Sequence, residues 1–413
     1  MNIIKSILHA WRSIHLMVRI FCGIVIGSIL ALTCPDINGI TILGTLFVGA
    51  LKAVAPLLVA VLVIASVAKA REGLGERFRT VIILYMASTL IAAVVAVFAS
   101  ELFPLKLVFA GSDSVAADAA PAALADVFNK LARDLMSNPV SAVSTASYLS
   151  VLFWAIVMGL ALKKTATEKT VNMIQEIADA ISLVVSWIIQ FAPFGILGLV
   201  YASVTESGLE IFTTYGKLVL LLVGCMCTVS FIINPAISAF MLRKNPYPLV
   251  WRCLKGSAVS AFFTRSSAAN LPVNMTLCKR MGLDEDFYSV SIPLGCTINM
   301  DGAAITITVM TLACCNTMGV DVSLASALLL SIMATLGACG SSGVAGGSLL
   351  LIPMSCALFG ISNDVAMQVV GIGFIIGVIQ DSVETALNSS GDVMFTATAD
   401  YYDRMKKGEK IEL

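Results

Sequence analysis

The sequence predicts an all-α polytopic membrane protein with eight transmembrane helices and two re-entrant helical hairpins. Three observations lead to this prediction: an apolar composition, apolar runs of about 20 residues that recur along the chain, and two stretches that interrupt this pattern. Of the 413 residues, 58% are hydrophobic and 13% are charged. Because soluble domains carry about 25% charged residues, the composition alone indicates a membrane protein.

Charge and residue counts exclude several functional classes. The formal net charge is +0, so we expect no nucleic-acid partner. The 11 cysteines show neither metal-site nor disulfide spacing and are interpreted as small buried apolar residues. Both histidines, His9 and His15, lie near the N-terminus, and no nucleophile and base pair stands out. We therefore predict no enzyme activity and no organic cofactor.

Eight apolar runs are long enough to cross a bilayer. The first is too long for the core of a signal peptide and lacks a convincing cleavage site, so we assign it as a span. The predicted spans are residues 14–33, 42–68, 80–103, 141–162, 172–203, 216–242, 286–318 and 362–398.

Basic residues near the ends of these runs predict the orientation. They cluster at the N-terminus, at every second connection and in the C-terminal tail, whereas residues 34–41 and 204–215 contain none. This alternation predicts a multi-pass protein of a bacterial inner (plasma) membrane with both termini cytoplasmic. It requires residues 252–280 to enter and leave from the cytoplasm, and residues 322–358 to do so from outside.

These two stretches are unsuited to a lipid-facing helix. The first contains Arg265, Asn270 and Pro272, and the second contains a Gly- and Ser-rich run from Gly337 to Ser348. Non-helical backbone at membrane depth is tolerated only where it is buried in protein or lines a cavity. Paired broken segments point to a transporter binding site, since helix N-termini can receive a carboxylate and unwound carbonyls a cation. The alternative, close helix packing, explains an isolated glycine better than two such runs.

The seventh span carries an acidic residue, Asp301, within the motif Asn299-Met300-Asp301-Gly302. An unpaired carboxylate at the bilayer centre costs about 2.5–3.5 kcal/mol or more, so it needs a partner or a function. Arg265 and Lys52 are the candidate partners, and the sequence pairs neither of them with Asp301. We favour a functional role for this carboxylate.

The last span carries five polar residues on one helix face, at offsets of 3, 4, 7 and 11 from the first. They are Asp381, Glu384, Thr385, Asn388 and Asp392. Such a stripe is typical of a water-filled path or a binding site; a solvated helix face is the alternative, chiefly for Asp392. Asp381 is a candidate acceptor for a substrate ammonium. Hard oxygen ligands for a small alkali cation are offered by Asn299, Asp301, Asn388 and Asp392.

These motifs resemble those of the dicarboxylate/amino acid:cation symporters, the family that includes the glutamate transporters. The matches are Arg265-Ser266-Ser267 with Leu271-Pro272, residues 297–302, the Gly-rich tip of the second hairpin, and the acidic stripe of the last span. Within the family the chain is most similar to the bacterial serine/threonine:sodium symporters, over residues 43–56, 262–275 and 380–390.

The resemblance implies a glutamate-transporter-like elevator fold, assembled as a homotrimer in the lipid bilayer. Residues 14–68 and 141–203 would form a static scaffold. Residues 80–103 and 216–398, with hairpins 252–280 and 322–358, would form a transport domain that slides across the membrane. The second hairpin would act as the outer gate.

The resemblance also implies the site residues. The substrate-binding set would be Ser266, Ser267, Val344, Asp381, Glu384, Thr385 and Asn388, with the substrate carboxylate at Ser267 and Asn388 and its amino group at Asp381. One sodium ion would be bound by Gly295, Asn299, Asn388 and Asp392. A second would lie between Thr297 and the carbonyls of Ala338, Cys339 and Ser341. A third would use Tyr85, Ser88, Thr89, Asn299 and Asp301.

Two positions depart from the family pattern. Members with acidic substrates have an arginine where this chain has Glu384, and an acid there would repel a second carboxylate. The family's threonine in the seventh-span motif is replaced by Ala303. We therefore expect sodium-coupled import of small neutral amino acids, serine and threonine. The alternatives are a sodium- or proton-coupled dicarboxylate or aspartate symporter and, from another class, a passive channel.

Overall fold

The computed structural model describes residues 14, 16–37, 39–69, 76–109, 136–339, 341 and 346–411, and their regular structure is entirely helical. The first helices are α1 (Leu16–Thr33), α2 (Thr41–Lys69), α3 (Glu76–Leu102), α4 (Pro139–Ser144), α5 (Tyr148–Thr165), α6 (Glu168–Gln190), α7 (Ala192–Ser207) and α8 (Glu210–Thr228). They are followed by α9 (Asn234–Leu242), α10 (Tyr247–Cys253), α11 (Val259–Thr264), α12 (Ser267–Arg280), α13 (Glu285–Ile298), α14 (Asp301–Met318), α15 (Leu324–Ala338), α16 (Ile352–Leu358) and α17 (Asn363–Lys406).

Six helical runs among the described residues are long and apolar enough to cross a membrane. They are Thr41–Ala65, Glu76–Leu102, Glu168–Gln190, Ile211–Leu242, Glu285–Met318 and Asn363–Lys406, and each lies within or overlaps a predicted span. Shorter apolar helices include Val18–Thr33 and Ala192–Thr205. The chain is therefore a multi-pass helical membrane protein, and the count of eight spans stays a prediction.

Three predicted spans, residues 141–162, 172–203 and 286–318, are each divided between helices. Residues 172–203 are divided between α6 and α7, because the chain turns at Phe191 and Pro193 lies in the first turn of α7. Proline lacks the backbone N–H that a continuing helix would use, so it starts a helix more readily than it extends one. Residues 141–162 are divided between α4 and α5 by a turn in which Ala146 has a φ of 54°.

Helices α1, α2, α5, α6 and α7 pack mainly on one another. Their closest approaches occur at glycines. A Cβ added at Gly27 would lie 2.6 Å from the carbonyl oxygen of Leu197, and one added at Gly198 would lie 2.5 Å from the amide nitrogen of Gly44. Small residues allow such backbone contact between membrane helices, where apolar burial alone drives little association.

A second group of helices surrounds α14 and α17. These two central helices contact α3, α8 and each other, and α17 also contacts α9 to α13. Most of α14 is buried within this one chain, including the polar residues Asp301, Thr306, Thr308 and Thr311. A spanning helix that is buried all round can hold polar side chains that lipid would not tolerate.

Residues 252–280 fold back on themselves, as predicted for the first hairpin. Ser257 donates to Asn274 at 2.6 Å, and Ser260 donates to Asn270, so the paired residues are placed symmetrically about the turn. Arg265 occupies the turn with a φ of 52°, in the left-handed region, and ends α11. The side chain of Ser266 then accepts from the amide of Ala269 and starts α12.

The second predicted hairpin is described except at its tip. The helix α15 ends at Ala338, and the chain resumes at Gly346 before a short 3₁₀ helix, Ser348–Leu351, and α16. A Cβ added at Gly337 would meet the methyl group of Met354 at 2.4 Å, so the two arms lie against each other.

The predicted span 286–318 is not one continuous helix, which corrects the sequence-based expectation. α13 ends at Ile298, Asn299 and Met300 are non-helical, and α14 begins at Asp301. Carbonyl and amide groups near such a break lose their regular partners and become available for other contacts. The break coincides with the motif that the sequence marked as functional.

Candidate functional site

The candidate site lies where the break between α13 and α14 faces the polar stripe of α17. Arg265 of the first hairpin and Gly346 of the second reach the same stripe. All five stripe residues are buried, with exposed fractions between 1% and 6%. The alternative of a solvated helix face is therefore wrong, including for Asp392 at 1% exposure.

Asp381 is the contact point of both hairpins. Arg265 Nε donates to Asp381 Oδ2 at 2.7 Å, and the backbone N–H of Gly346 donates to Asp381 Oδ1 at 3.2 Å. Arg265 thus pairs with Asp381 and not with Asp301; the side chain of Lys52 lies outside the described residues. The role of Asp381 as an ammonium acceptor stays a prediction. In this structure the Arg265 guanidinium is the positively charged partner of the Asp381 carboxylate.

Glu384 is surrounded by neutral donors. Its Oε2 accepts from the hydroxyl groups of Thr306 and Ser348 at 2.7 and 2.9 Å and from the side-chain amide of Gln380. None of these three residues was among the predicted substrate-binding residues. A signal existed for Thr306 and Gln380, which are polar residues inside otherwise apolar spans, one helical turn or so from assigned positions.

The remaining predicted substrate residues are only partly brought together. Asn388 Oδ1 accepts from the backbone N–H of Gly302 at 2.7 Å, which caps the start of α14. The hydroxyl group of Thr385 donates to the carbonyl of Asp381, and Ser267 is buried in the first turn of α12. Ser266 is that helix's N-cap, while Val344 lies outside the described residues.

The residues predicted for the first cation site lie close together, and the site itself stays a prediction. Asn299 Nδ2 donates to Asp392 Oδ1 at 3.0 Å and to the carbonyl of Asn388 at 3.2 Å. The carbonyl of Gly295 accepts from the backbone N–H of Asn299 at 2.8 Å. Asp392 Oδ2 is buried and has no hydrogen-bond partner among the described residues. An orphaned carboxylate oxygen close to the Asn388 carbonyl fits a hard cation such as sodium.

The predicted third site is centred on Asp301, which is 0% exposed. Its Oδ1 accepts from Ser88 at 2.9 Å and from Thr89 at 3.1 Å, and Ser88 also donates to Asn299 Oδ1. The hydroxyl group of Tyr85 is directed elsewhere and contacts the carbonyls of Ser291 and Asp392 and the Thr396 hydroxyl. A different residue, Asn234, donates to Asp301 Oδ2 at 2.8 Å.

The predicted second cation site is only partly formed. Cys339 Sγ lies 3.6 Å from the carbonyl oxygen of Ile298, so the end of α15 reaches the broken helix. The hydroxyl group of Thr297 donates within its own helix to Leu294 at 2.8 Å, and the carbonyl of Ala338 accepts from the Ser341 amide. These contacts bring the two segments near each other without assembling a shell of oxygen ligands.

The donor atoms around these positions are carboxylate, amide, carbonyl and hydroxyl oxygens. Among the described residues, no group of three or more His, Cys, Asp or Glu side chains could hold a metal ion. This chemistry favours a weakly held alkali cation over a transition metal.

Comparison with known proteins decides the family. The profile described as the sodium:dicarboxylate symporter family matches residues 16–402. The chain belongs to this family. The resemblance inferred from the sequence motifs is thereby confirmed.

Relatives in the family align along nearly their whole length. A serine/threonine transporter SstT of Bifidobacterium adolescentis is 53% identical over 408 residues, covering 99% of this chain and 94% of the relative. The protein of that name from Streptococcus agalactiae is 54% identical over 399 residues, covering 96% and 98%. The one from Enterococcus faecalis is 52% identical over 404 residues, covering 98% and 96%. These names describe transporters, the class expected from the paired broken helices.

Proposed function

We propose that this protein imports serine and threonine across the bacterial inner membrane by coupling their entry to sodium ions. The observation that carries the proposal is the buried polar cluster at the helix break. There Asp392 Oδ2, near Asn299 and the Asn388 carbonyl, has no hydrogen-bond partner among the described residues. Membership in a sodium symporter family and relatives named as serine/threonine transporters support this function.

Selectivity for neutral substrates follows from the charge of Glu384. Its carboxylate is buried beside the tip of the second hairpin, and its three neighbours donate neutral hydrogen bonds. A second substrate carboxylate there would meet like charge in a region of low dielectric. Serine and threonine, whose side chains end in a neutral hydroxyl group, avoid this repulsion.

The substrate groups are assigned as the resemblance implies. The substrate carboxylate would meet the start of α12 at Ser267 and the amide of Asn388. Within the described part of the chain, Asn388 Nδ2 donates to the weakly accepting sulfur of Met300 at 3.4 Å. The substrate ammonium would approach Asp381. This carboxylate would then be shared between the ammonium and Arg265.

The proposed architecture has eight spans and two re-entrant hairpins, with both termini cytoplasmic. The scaffold would be residues 14–68 and 141–203, and the transport domain residues 80–103 and 216–398. Helix packing supports this division, because helices within each proposed unit pack mainly on one another. Contacts between the units include the edge-to-face pair Phe47 and Phe374, 5.2 Å apart. An elevator-like movement in a homotrimer completes the proposal.

Uptake of radiolabelled serine into proteoliposomes tests this function. With an inward sodium gradient we expect saturable accumulation that excess threonine inhibits and excess aspartate does not. Replacement of external sodium by choline and liposomes without protein are the controls. Strong inhibition by aspartate would favour the dicarboxylate or aspartate alternative, and flux without saturation or sodium dependence would favour the passive channel.

A further inference from the structure

Asn234 is a buried polar residue in the sixth span that belongs to none of the predicted ligand sets. It is 1% exposed and directly follows a π-helical turn, Val229–Ile233. Pro235 comes next in the chain. Proline removes a helix hydrogen bond and crowds the preceding turn, which explains the wider turn at this place. The result is a buried asparagine whose side chain reaches α14 from α9.

The amide nitrogen of Asn234 holds one side of the Asp301 carboxylate. Asn234 Nδ2 donates to Asp301 Oδ2 at 2.8 Å, while Ser88 and Thr89 of α3 donate to Oδ1. Reversing the amide would place two acceptor oxygens against each other, so the nitrogen must face the carboxylate. The carboxylate is thus oriented from two helices, one on each oxygen.

The other end of the same amide has no partner. Asn234 Oδ1 is buried and accepts no hydrogen bond from the described residues. Asn234 also lines a cavity of about 10 Å³ together with Ser230, Ser390 and Gly391. This is about the smallest volume that holds one water molecule, and two of the lining residues are serines. A Cβ at Gly391 would lie 2.8 Å from Asn299 Nδ2 and 3.8 Å from Asn234 Nδ2, so the missing side chain lets these amides approach.

We propose that Asn234 is a positioning residue of the cation site at Asp301. Its amide nitrogen orients the carboxylate for sodium, and its amide oxygen is held by one water molecule in the adjoining cavity. The inference rests on the proposed sodium coupling. Without Asn234, Asp301 Oδ2 has no hydrogen-bond donor among the described residues. The carboxylate would then be less ordered, and sodium binding would be weaker because it must also fix the carboxylate orientation.

The test replaces Asn234 by leucine, which has a similar volume and no amide. We expect the sodium concentration for half-maximal serine uptake to rise roughly tenfold, the effect of losing one hydrogen bond to a charged group. The serine concentration for half-maximal uptake at saturating sodium should stay unchanged. A second readout is the sodium concentration that half-maximally raises the melting temperature of the purified protein, which should rise by the same factor.

The matched control is Ser238→Ala, one turn further along α9. Ser238 is equally buried and forms a hydrogen bond with Thr398 of α17, away from Asp301. Its sodium dependence should equal that of the wild type. If leucine prevents folding, Asn234→Ser is used instead, since its short hydroxyl group cannot reach the carboxylate.

The outcomes separate this inference from the proposed function. A wild-type protein without sodium dependence would remove the proposed coupling. A sodium-dependent wild type with unshifted Asn234 variants would overturn the positioning role alone. The role is also overturned if Asn234→Leu and Ser238→Ala raise the sodium requirement equally, or if the Asn234 variants bind sodium more tightly.

Discussion

Arg265 Nε lies 2.7 Å from Asp381 Oδ2 and joins the tip of the first hairpin to α17. The two side chains are 8% and 3% exposed, so the pair is shielded from water. The other oxygen of the carboxylate accepts from the N–H of Gly346, in the second hairpin. Because Arg265 and Gly346 both contact this carboxylate, a substrate ammonium that joined Asp381 would change the charge balance at both hairpins at once.

Replacing Asp381 by alanine should abolish serine uptake while the protein still inserts into the membrane. The substitution removes the proposed ammonium acceptor and leaves the Arg265 guanidinium buried without its partner, which costs about 3–5 kcal/mol of stability. Uptake in proteoliposomes and melting temperature measure the two effects. Ser382→Ala is the control, because the Ser382 hydroxyl group bonds only within α17, to the carbonyl of Val378. Uptake like that of the wild type in the Asp381 variant would disprove the assigned role.

Replacing Glu384 by glutamine should let aspartate compete with serine. The substitution removes the charge that repels a second carboxylate, and we expect aspartate inhibition to strengthen by roughly tenfold. Inhibition constants for aspartate measure the effect. Ser348→Ala is the control, since it removes one hydrogen-bond donor to Glu384 and no charge. If aspartate inhibits neither variant, Glu384 does not determine selectivity.

Replacing Gly295 by alanine should impair sodium binding. The added Cβ would lie 2.8 Å from both Asp392 Oδ1 and the hydroxyl oxygen of Tyr85, so the carboxylate must move. We expect a higher sodium requirement for uptake and a stability loss of about 1–3 kcal/mol, which is typical of overpacking. Gly224→Ala is the control, because nothing lies within 4 Å of its added Cβ. Equal sodium dependence in both variants would argue against the first cation site.

Replacing Gly198 by alanine should destabilise the proposed scaffold and leave sodium dependence unchanged. The added Cβ would lie 2.5 Å from the Gly44 nitrogen and 2.7 Å from the Ile40 carbonyl oxygen, and backbone atoms cannot move aside cheaply. Thermal unfolding in detergent should show a loss of about 1–3 kcal/mol. Gly216→Ala, with open space around its Cβ, should show none. A stable Gly198 variant would mean that α2 and α7 can separate without cost.

Replacing Arg77 by alanine should destabilise the ends of α3, α13 and α17 that meet at this side chain. Arg77 pairs with Asp284 and with Asp400, each at 2.8 Å, and the Asp400 side chain is 0% exposed. Loss of this partner should cost about 2 kcal/mol or more, measured by thermal unfolding. Lys406→Ala, which removes an exposed pair with Glu76, should cost less than about 1 kcal/mol. Equal losses would show that burial of Asp400 does not matter.

The Arg77 guanidinium also makes the stability of this cluster depend on pH. Its hydrogen bond lowers the pKa of Asp284, which lies just before α13. A carboxyl group with a lowered folded-state pKa contributes stability above its unfolded pKa of about 4 and loses it as the pH falls further. Unfolding midpoints measured from pH 7 to pH 3 should therefore fall more steeply for the wild type than for Arg77→Ala.

Part of the candidate site could be predicted because its residues follow local sequence patterns. The stripe of α17 follows from helical spacing, and burial of all five residues bears out its inward direction. Asn299 contacts both the Asn388 carbonyl and Asp392, and the cation site predicted from these residues stays a prediction. The helix break at Asn299 and the division of residues 172–203 were not predicted. An apolar run indicates that a segment lies within the membrane, but it does not show whether the helix is continuous.

The sequence by itself determined the membrane class, the positions of the apolar spans and of the two broken segments, and the family. These are properties of residues in chain order, and the hydrophobic effect and helical spacing act on them locally. Only the tertiary structure decided that Arg265 pairs with Asp381, that Thr306, Ser348 and Gln380 surround Glu384, and that Asn234 reaches Asp301. Most of these partners are separated by tens of residues or more, so whether they meet depends on how the helices pack. A buried polar side chain needs a hydrogen-bond partner, but the sequence offers several candidates and only the packing selects one.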